Sequence, residues 1–347
     1  MKAKTATIKD IAKVVGVSPR SVSLAINNQG RLSAETRRRI LDVASQMDYH
    51  PNIMARGLVK QKTYLLGVVV PYLTSSFFSS IISGIEEESV QLHYDILLGN
   101  ASRSLEAEKW AIQRMVNRKV DGIVCCPDPR FYEFYQGLVQ TGIPLLEIMT
   151  HVKGTQATSI LVDDLSGGYA ATSHLLDLGH RTIGFLRYEA EYYEEIRLRN
   201  EGYRQALIER GVSVDLARCE IPCDLTRDGA YQATAALLSR APEITAIFAP
   251  TDLAAIGALA AGLEAGRRIP DDLSVVGYDD VEFARYQAQL PLTTVSQPKE
   301  EVGRLAFQMM HRVIQGETVA SVTLVPRLVT RATTGPCRAS PSIKAPA

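Results

Sequence analysis

Three pairs of adjacent polar residues follow apolar runs, and their side chains are suited to binding a hydrophilic ligand. The pairs are Asp163-Asp164 after SILV, Thr251-Asp252 after AIFAP, and Asp279-Asp280 at the end of SVVGYDD. Open parallel sheets bind ligands beyond the carboxyl ends of their strands, so these residues are candidates for a binding site. For Asp164, Asp252 and Asp280, helix capping is the competing interpretation, because a predicted helix follows each of them.

Residues that could support catalysis or hold a metal are isolated. His180 lies in LGHR, where Gly179 is typical of a helix end, and a single histidine without a paired nucleophile is weak evidence for catalysis. The sequence contains no phosphate-binding glycine motif, no HExxH and no GxSxG. The five cysteines lack the spacing of a zinc site. We therefore predict no enzymatic activity, no cofactor and no metal.

Charge is distributed unevenly along the chain. Residues 1–62 contain twelve Lys/Arg and four Asp/Glu, a net charge of +8, whereas the whole chain sums to zero, which leaves −8 on the remainder. Such asymmetry indicates a nucleic-acid-binding head on an acidic body. The length of 347 residues predicts two or three domains. No apolar run approaches the roughly 18 residues of a membrane span, and no signal peptide precedes the head, so we expect a cytoplasmic protein without membrane contact.

The head begins with the pattern of two short helices joined by a tight turn. Thr7 is a predicted N-cap and Gly16 a helix end, after which Ser18-Pro19 has the N-cap and first-position residues of a second helix. Two helices in this arrangement form a helix-turn-helix, whose second helix enters the major groove of DNA.

Arg20, Ser21 and Ser23 are the first exposed residues predicted for that second helix. A guanidinium can contact guanine with two hydrogen bonds, so Arg20 is expected to read a base or, equally, to bind a phosphate. A third helix is predicted from Ala34 to Met47 with Arg37, Arg38 and Arg39 facing outward, either as phosphate contacts or as a solvated charge run. Asn52 can cap a fourth helix of about eight residues, which is marginal alone in water.

These segments resemble the lactose-repressor/galactose-repressor (LacI/GalR) family of bacterial transcription regulators. The resemblance rests on TIKDIAKVVGVS, RSVSLAINN, LSAETR and YHPNIMARGL, and it continues through the body to about Arg331. It implies a homodimer on a near-palindromic operator, with Leu58 inserted into the minor groove as an apolar wedge that bends the DNA. Leu24 and Val59 depart from residues common in relatives, so the operator sequence of a relative cannot be transferred. The predicted DNA-binding residues are Thr7, Ser18, Pro19, Arg20, Ser21, Ser23, Asn27, Asn52, Ala55 and Leu58.

The body alternates apolar strand-like runs with helix-length segments, which predicts parallel sheets flanked by helices. The fold class is therefore α/β, with an all-α helix-turn-helix headpiece at residues 1–50 and a linker at 51–62. The resemblance implies a two-lobed, periplasmic-binding-protein-like core at 63–335. Its expected lobes are 63–162 plus 295–326 and 163–294 plus 327–335, followed by a disordered tail at 336–347.

The resemblance also implies an effector site between the lobes. Arg199 matches an arginine that contacts the effector in relatives, and of Phe77 and Phe78 we expect one to line the cleft and one to pack beneath it. Leu225 replaces an aromatic residue common in relatives, which disfavours a flat purine and favours a sugar or sugar derivative. The predicted effector-binding residues are Phe77, Phe78, Asp163, Tyr193, Glu195, Arg199, Leu225, Thr251 and Asp279.

The sequence thus predicts a ligand-responsive DNA-binding transcription regulator, most readily a repressor. Two alternative functions would also fit the predicted α/β body: a sugar-binding transport protein, and a sugar-active α/β enzyme with Asp279 and His180 as acid and base. The basic head disfavours both.

Overall fold

The computed structural model describes residues 6–26, 29–49, 62–188, 193–213, 215–224, 226–286 and 290–338. The chain divides into two compact units, Met1–Thr63 and Tyr64–Ala347. Among the described residues, no helix is both long and apolar enough to cross a membrane.

The first unit is a small helical headpiece, and its three helices begin at the predicted residues. Its helices are α1 (Ile8–Val15), α2 (Pro19–Ile26) and α3 (Ala34–Gln46). A compact core of aliphatic side chains joins them; its buried members are Ile11, Ala12, Val15, Val22, Ala25, Ile40 and Ala44. The three- and four-residue spacing of these positions puts them on one face of each helix, which is why the sequence pattern predicted the helices correctly.

The ends of the headpiece helices are fixed by local hydrogen bonds. Thr7 and Asp10 form a capping box in which each side chain bonds the other's backbone N–H. Gly16 ends α1 with a φ of 76°, a left-handed conformation that suits glycine. The Ser18 hydroxyl accepts the N–H of Ser21 at 3.1 Å, which starts α2.

Two of the three consecutive arginines on α3 make hydrogen bonds within the headpiece. Arg37 donates to the carbonyl of Ala25, in the last turn of α2, at 3.3 Å, and Arg39 donates to Val15 at the end of α1 at 3.4 Å. A cation at the C-terminal carbonyls of a helix is favourable both as a hydrogen-bond donor and through the helix dipole. The expectation that all three face outward is therefore wrong for Arg37, which is partly buried; Arg38 and Arg39 are exposed.

The second unit is built from two sheets and the helices that cover them. Its strands are β1 (Leu65–Val70), β2 (Asp95–Asn100), β3 (Gly122–Cys125), β4 (Leu145–Ile148), β5 (Thr158–Val162), β6 (Ile183–Arg187), β7 (Glu220–Pro222), β8 (Ala246–Phe248), β9 (Ser274–Asp279), β10 (Thr293–Ser296), β11 (Val322–Leu324) and β12 (Arg327–Val329). Its helices are α4 (Ser76–Gln91), α5 (Leu105–Asn117), α6 (Tyr132–Gln140), α7 (Asp164–Asp177), α8 (Glu194–Glu209), α9 (Leu216–Cys219), α10 (Arg227–Arg240), α11 (Asp252–Glu264), α12 (Glu282–Arg285) and α13 (Lys299–Ile314), with a 3₁₀ turn at Pro129–Phe131.

Each sheet has six strands. The first has the order β11-β5-β4-β3-β1-β2 and is parallel throughout. The second has the order β12-β10-β9-β8-β6-β7 and is parallel except for β12. Nearly continuous apolar strands such as LLGVVV are buried because helices cover such sheets on both faces. The chain passes between the two lobes three times, after β5, after β10 and after β11.

Two predicted boundaries differ from the structure. Residues 295–296 belong to the second lobe, because Val295 pairs with Tyr278 and Ser296 with Asp279 within the second sheet. The tail was expected to begin at residue 336, but Cys337 donates its N–H to Leu178 at 2.8 Å. Residues 339–347 lie outside the described residues.

Helices α4 and α13 pack so closely that their backbones approach each other at two glycines. A Cβ on Gly84 would clash with the carbonyl oxygen of Glu300, and one on Gly303 would clash with that of Ile81. These two glycines bring the backbones together on the first lobe, and the sequence pattern did not reveal this close approach.

Replacing Gly84 by alanine should therefore destabilise the core unit by about 1–3 kcal/mol through overpacking. Gly137 in α6 is the matched control, because a Cβ there meets nothing within 4 Å. Gly137→Ala should stabilise the helix by roughly 0.5–1 kcal/mol. Urea denaturation of both variants measures the difference, and equal midpoints would contradict the close packing.

Arg37→Ala and Arg38→Ala should have separate effects. Loss of the Arg37 hydrogen bonds should weaken the headpiece by about 1 kcal/mol or more, seen as faster amide exchange in α2 and α3 of the full chain. Arg38→Ala should leave exchange unchanged and, if Arg38 contacts a phosphate, lower the slope of DNA affinity against salt by about 1. Faster exchange in Arg38→Ala alone would reverse these assignments.

Candidate functional site

The start of α2 is the exposed surface where the sequence predicted DNA contacts. Arg20 is exposed there, while Ser21 and Ser23 are partly buried. The hydroxyls of Ser18 and Ser21 lie 2.9 Å apart, so both take part in the helix cap as well as reaching the surface. Pro19 is exposed at the first position of the helix.

Other predicted DNA-binding residues have different placements. The Thr7 hydroxyl is exposed and donates to Asp10 at 2.6 Å. The Leu24 side chain packs against the turn at Gly30, and a Cβ on Gly30 would lie 3.0 Å from Leu24 Cδ1. Asn27, Asn52, Ala55, Leu58 and Val59 lie outside the described residues.

A cavity of about 810 Å³ lies between the two lobes of the second unit. Residues from both lobes line it, and many of them follow the carboxyl ends of strands. This is the position that the strand-end rule predicts for a ligand of parallel sheets. The volume is in the range of a small-molecule site.

Arg199 is the central cation on the second-lobe side. It is 4% exposed, and its Nε donates to Asp164 Oδ1 at 2.7 Å while Nη1 donates to the Pro250 carbonyl at 2.6 Å. The guanidinium lies 3.8 Å above the ring of Tyr278. A Cβ on Gly168 would clash with the carbonyl of Arg199, so the close packing of α7 and α8 holds this residue in place.

Asp279 lies beside Arg199 at the end of β9. Its Oδ1 accepts from Gln297 Nε2 at 2.7 Å and lies 3.8 Å from Arg199 Nη1. The backbone of Asp279 has a φ of 117°, an unusual conformation for a residue other than glycine, which aims this carboxylate into the cavity. Burial raises its pKa to about 6, and Arg199 opposes the shift.

Two of the three predicted helix caps occur one residue earlier than expected. The third candidate, Asp280, pairs with Arg285 and Arg331 and caps none of the described helices. Asp163 accepts the N–H of Ser166 at 3.0 Å and caps α7, and the Thr251 hydroxyl accepts the N–H of Ala254 at 3.1 Å and caps α11. Asp163, predicted to bind the effector, does not line the cavity. Thr251 caps its helix and also lines the cavity.

Asp164 and Asp252 are therefore not helix caps; both are buried and bond residues from other elements. Asp164 pairs with Arg199, and Asp252 accepts the N–H of Val281 at 2.8 Å and the hydroxyl of Thr294. Burial raises the pKa of Asp164, although Arg199 opposes it, and raises that of Asp252 strongly.

The first turn of α8 connects the second lobe to the first. The Tyr193 hydroxyl donates to Asp128 Oδ2 at 3.2 Å, and the Arg103 guanidinium lies 4.5 Å above the Tyr193 ring. The Thr150 hydroxyl donates to Glu195 Oε1 at 3.5 Å. Two predicted residues, Tyr193 and Glu195, thus contact the first lobe across the cavity.

Two aromatic rings of α4 line the cavity from the first lobe. Phe77 and Phe78 are in edge-to-face contact with centroids 5.2 Å apart, and both are partly buried. Phe77 also packs against the apolar cores of both lobes. The expectation that one ring lines the cavity while the other packs beneath it is wrong, because both line it.

Glu108 is a buried carboxyl that the sequence analysis missed. It is 1% exposed on α5, and it accepts from the hydroxyl of Tyr135 and from the N–H of Asp128 at 3.2 Å. Burial raises its pKa to about 7 against these hydrogen bonds.

The structure brings together most of the predicted effector-binding residues: Phe77, Phe78, Tyr193, Glu195, Arg199, Thr251 and Asp279 all line the cavity. Leu225 lies outside the described residues. Arg103, Glu108, Asp128 and Gln297 line it too and were not predicted. Asp128 follows the run VDGIVCCP, so the strand-end rule could have found it, whereas Glu108 is one of two acids on an amphipathic helix.

His180 has a structural role. It is 1% exposed; Nδ1 lies 2.9 Å from the hydroxyl of Thr245, and Nε2 lies 3.1 Å from the hydroxyl of Ser274 and from the carbonyl of Gly335. Burial lowers its pKa. It does not line the cavity and so cannot act with Asp279 as an acid–base pair there.

Comparison with known proteins agrees with both units. Residues 7–52 match the family model "Bacterial regulatory proteins, lacI family", and residues 172–334 match "Periplasmic binding protein-like domain". The HTH-type transcriptional regulator DegA of Bacillus subtilis is 33% identical over 336 residues, which cover 95% of this chain and 98% of DegA. The chain belongs to the LacI family. This LacI-family protein is accordingly a DNA-binding transcription regulator, and the family contains regulators, not enzymes.

Solved structures extend the agreement to the fold of this LacI-family chain. A lac repressor dimer bound to operator and the anti-inducer ONPF matches with a TM-score of 0.85 at 27% identity, covering 96% of this chain and 100% of that one. A LacI family regulator from Enterococcus faecium with bound ribose matches with a TM-score of 0.68 at 30% identity, covering 79% and 100%.

Glu108→Gln should be more stable than the wild type at pH 8, and this gain in the free energy of unfolding should be smaller at pH 5. The folded-state pKa of about 7 exceeds the ordinary value of 4.5, so the wild type loses stability as the pH rises between these values. Glutamine keeps the acceptor oxygen without ionising, and the gain at pH 8 should reach up to about 3 kcal/mol. Thermal unfolding at both pH values measures it.

Glu106 on the same helix is the matched control. Hydrogen bonds from its own backbone N–H and from Ser104 lower its pKa, so Glu106→Gln should change the pH dependence in the opposite direction. A Glu108→Gln protein whose stability relative to wild type is the same at pH 5 and pH 8 would contradict the buried carboxyl.

Proposed function

We propose that this protein is a cytoplasmic repressor that binds a near-palindromic operator as a homodimer, and that a small sugar or sugar derivative in the cavity controls this binding. The E. faecium regulator with bound ribose supports the sugar, and the operator-bound lac repressor dimer supports the assembly. The fold is shared with both, and the cavity lies where parallel sheets bind ligands.

The observation that carries the effector proposal is the pairing of Arg199 and Asp279 on one wall of the cavity. One donor group and one acceptor group lie 3.8 Å apart, which suits adjacent hydroxyl groups that both donate and accept hydrogen bonds. Phe77 and Phe78 supply an apolar surface in the same cavity, for the C–H face of a sugar.

The proposed DNA contacts follow the helix-turn-helix. Arg20 on α2 contacts a base edge or a phosphate in the major groove, and Ser21 and Ser23 contact the same half-site. Asn27, together with Asn52, Ala55 and Leu58 of the linker, completes the proposed surface on the strength of the family resemblance. Leu58 is the proposed minor-groove wedge.

Coupling between cavity and operator requires that the effector bind one lobe arrangement better than another. The Tyr193–Asp128 and Thr150–Glu195 contacts cross between the lobes at the cavity, so a ligand placed there competes with them or reinforces them. Either outcome changes the lobe arrangement, and by linkage operator and effector then affect each other's binding equally.

A thermal-shift screen of neutral pentoses and hexoses, followed by operator binding at several salt concentrations, tests the proposal. We expect at least one sugar to change operator affinity by about fivefold or more. Asp279→Asn should weaken binding of that sugar by about tenfold or more, because a charge-assisted hydrogen bond is lost, and should leave operator affinity without sugar unchanged.

Asp95→Asn is the matched control, because Asp95 is exposed on β2 and does not line the cavity. It should bind the sugar as the wild type does. A sugar that binds without changing operator affinity, or that binds Asp279→Asn as tightly as wild type, would count against the proposed effector site.

A further inference from the structure

The cavity has more acidic than basic side chains. Among the described residues that line it, the carboxyl-bearing ones are Glu108, Asp128, Glu195, Asp224 and Asp279, and the cationic ones are Arg103 and Arg199. A ligand that enters this space therefore meets a surplus of groups that carry negative charge when ionised.

Most of these charges have a partner inside the protein. Arg199 is paired with Asp164 and lies near Asp279, which is further flanked by the Lys299 ammonium bonded to its carbonyl at 2.5 Å. Asp128 is held by its ion pair with Arg130 at 2.6 Å. Asp224 is exposed and accepts from Thr226.

Glu108 and Glu195 remain without an ion pair among the described residues. Burial is the largest cause of the raised pKa of the Cys126 thiol, and the charges of Glu195 and Glu108 add to it. The two carboxyls therefore lie near the same end of the cavity. Arg103 and Arg199 act on Glu195, and Arg130 acts on Glu108. The Arg103 guanidinium stacks on the Tyr193 ring, however, while Arg199 is paired with Asp164 and Arg130 with Asp128. Neither acid therefore has a cation of its own among the described residues.

Glu195 is the one of the two that a ligand can reach. Its carboxyl is deeply enclosed, yet the residue stays partly accessible because it borders the cavity. The Thr150 hydroxyl, at 3.5 Å, is its side-chain hydrogen-bond partner in the described part of the chain. Enclosed carboxyls without a cation are unfavourable when ionised, and burial raises the pKa of Glu195 to about 7.

We propose that the effector carries a positively charged amine, that Glu195 accepts hydrogen bonds from it, and that Glu108 adds negative potential behind it. An amino sugar has this chemistry: its hydroxyls suit Arg199 and Asp279, and its ammonium supplies the ion-pair partner that Glu195 does not have among the described residues. A phosphorylated or acidic sugar would place an anion among carboxyls. The inference rests on the proposed sugar site and specifies its ligand.

Isothermal titration at pH 7 with matched sugars tests the inference. The probes are glucose, glucosamine and N-acetylglucosamine, and the corresponding galactose and mannose series. In at least one series the amine should bind about tenfold tighter or more than both neutral members, the gain expected of a charge-assisted hydrogen bond. The N-acetyl member keeps the nitrogen but removes the charge.

Glu195→Gln should abolish this preference while binding of the neutral sugar persists, and Glu195→Asp should keep part of it. Glu201→Gln is the matched control, because Glu201 is exposed on the same helix away from the cavity. It should retain the full preference. Circular dichroism of each variant establishes that the fold is intact.

Two results would overturn the inference while the proposed function stands: neutral sugars that bind as tightly as their amines and change operator affinity, or a Glu195→Gln protein that keeps the preference. Failure of every neutral and amine-bearing sugar to bind would overturn both the amine and the proposed sugar effector.

Discussion

A buried guanidinium fixes the geometry of the ligand cavity. Arg199 in this environment would cost several kcal/mol if unpaired, so the fold must supply Asp164, the Pro250 carbonyl and the Tyr278 ring around it. These partners come from the start of α7 and the ends of β8 and β9. One charge thereby holds three strand-to-helix junctions in register, and the orientation of Asp279 depends on the same junctions.

The two walls of the cavity differ in how their charges are compensated. Around Arg199 the charges are paired with one another, Asp164 and Asp279 with the guanidinium and the Asp279 carbonyl with Lys299 of α13, so this wall is prepared in advance for hydrogen bonding. At the other end Glu108 and Glu195 lie in a poorly solvated space, and neither carboxyl forms an ion pair among the described residues, where Arg103 stacks on the Tyr193 ring. In the proposed function the first wall orients the ligand and the second selects it by charge, because a buried carboxyl without an ion pair discriminates strongly between neutral and cationic groups.

Local pattern predicted the elements and most of the cavity, but not the pairing of charges. Thr7, Gly16 and Ser18 define helix ends through contacts within a few residues, so their roles were readable from spacing. The ends of parallel strands meet by topology, which is why Asp279 and Thr251 were found. Asp163 was assigned to the cavity and Glu108 was missed because direction and burial of a side chain depend on residues distant in sequence. Nor could spacing show that Arg37 and Arg39 bind the ends of neighbouring helices.

The three passages of the chain between the lobes constrain how the cavity can open. A single connection would allow one lobe to swivel and twist freely about the other. The connections after β5 and β11 leave neighbouring strands of the first sheet, and those after β10 and before β12 meet neighbouring strands of the second. A twist would stretch some of them while compressing others. Bending about an axis through all three leaves their lengths nearly constant. The relative motion of the lobes is thus mainly a bend about this axis, so ligands of different shape change the angle between the lobes more than the direction of the motion.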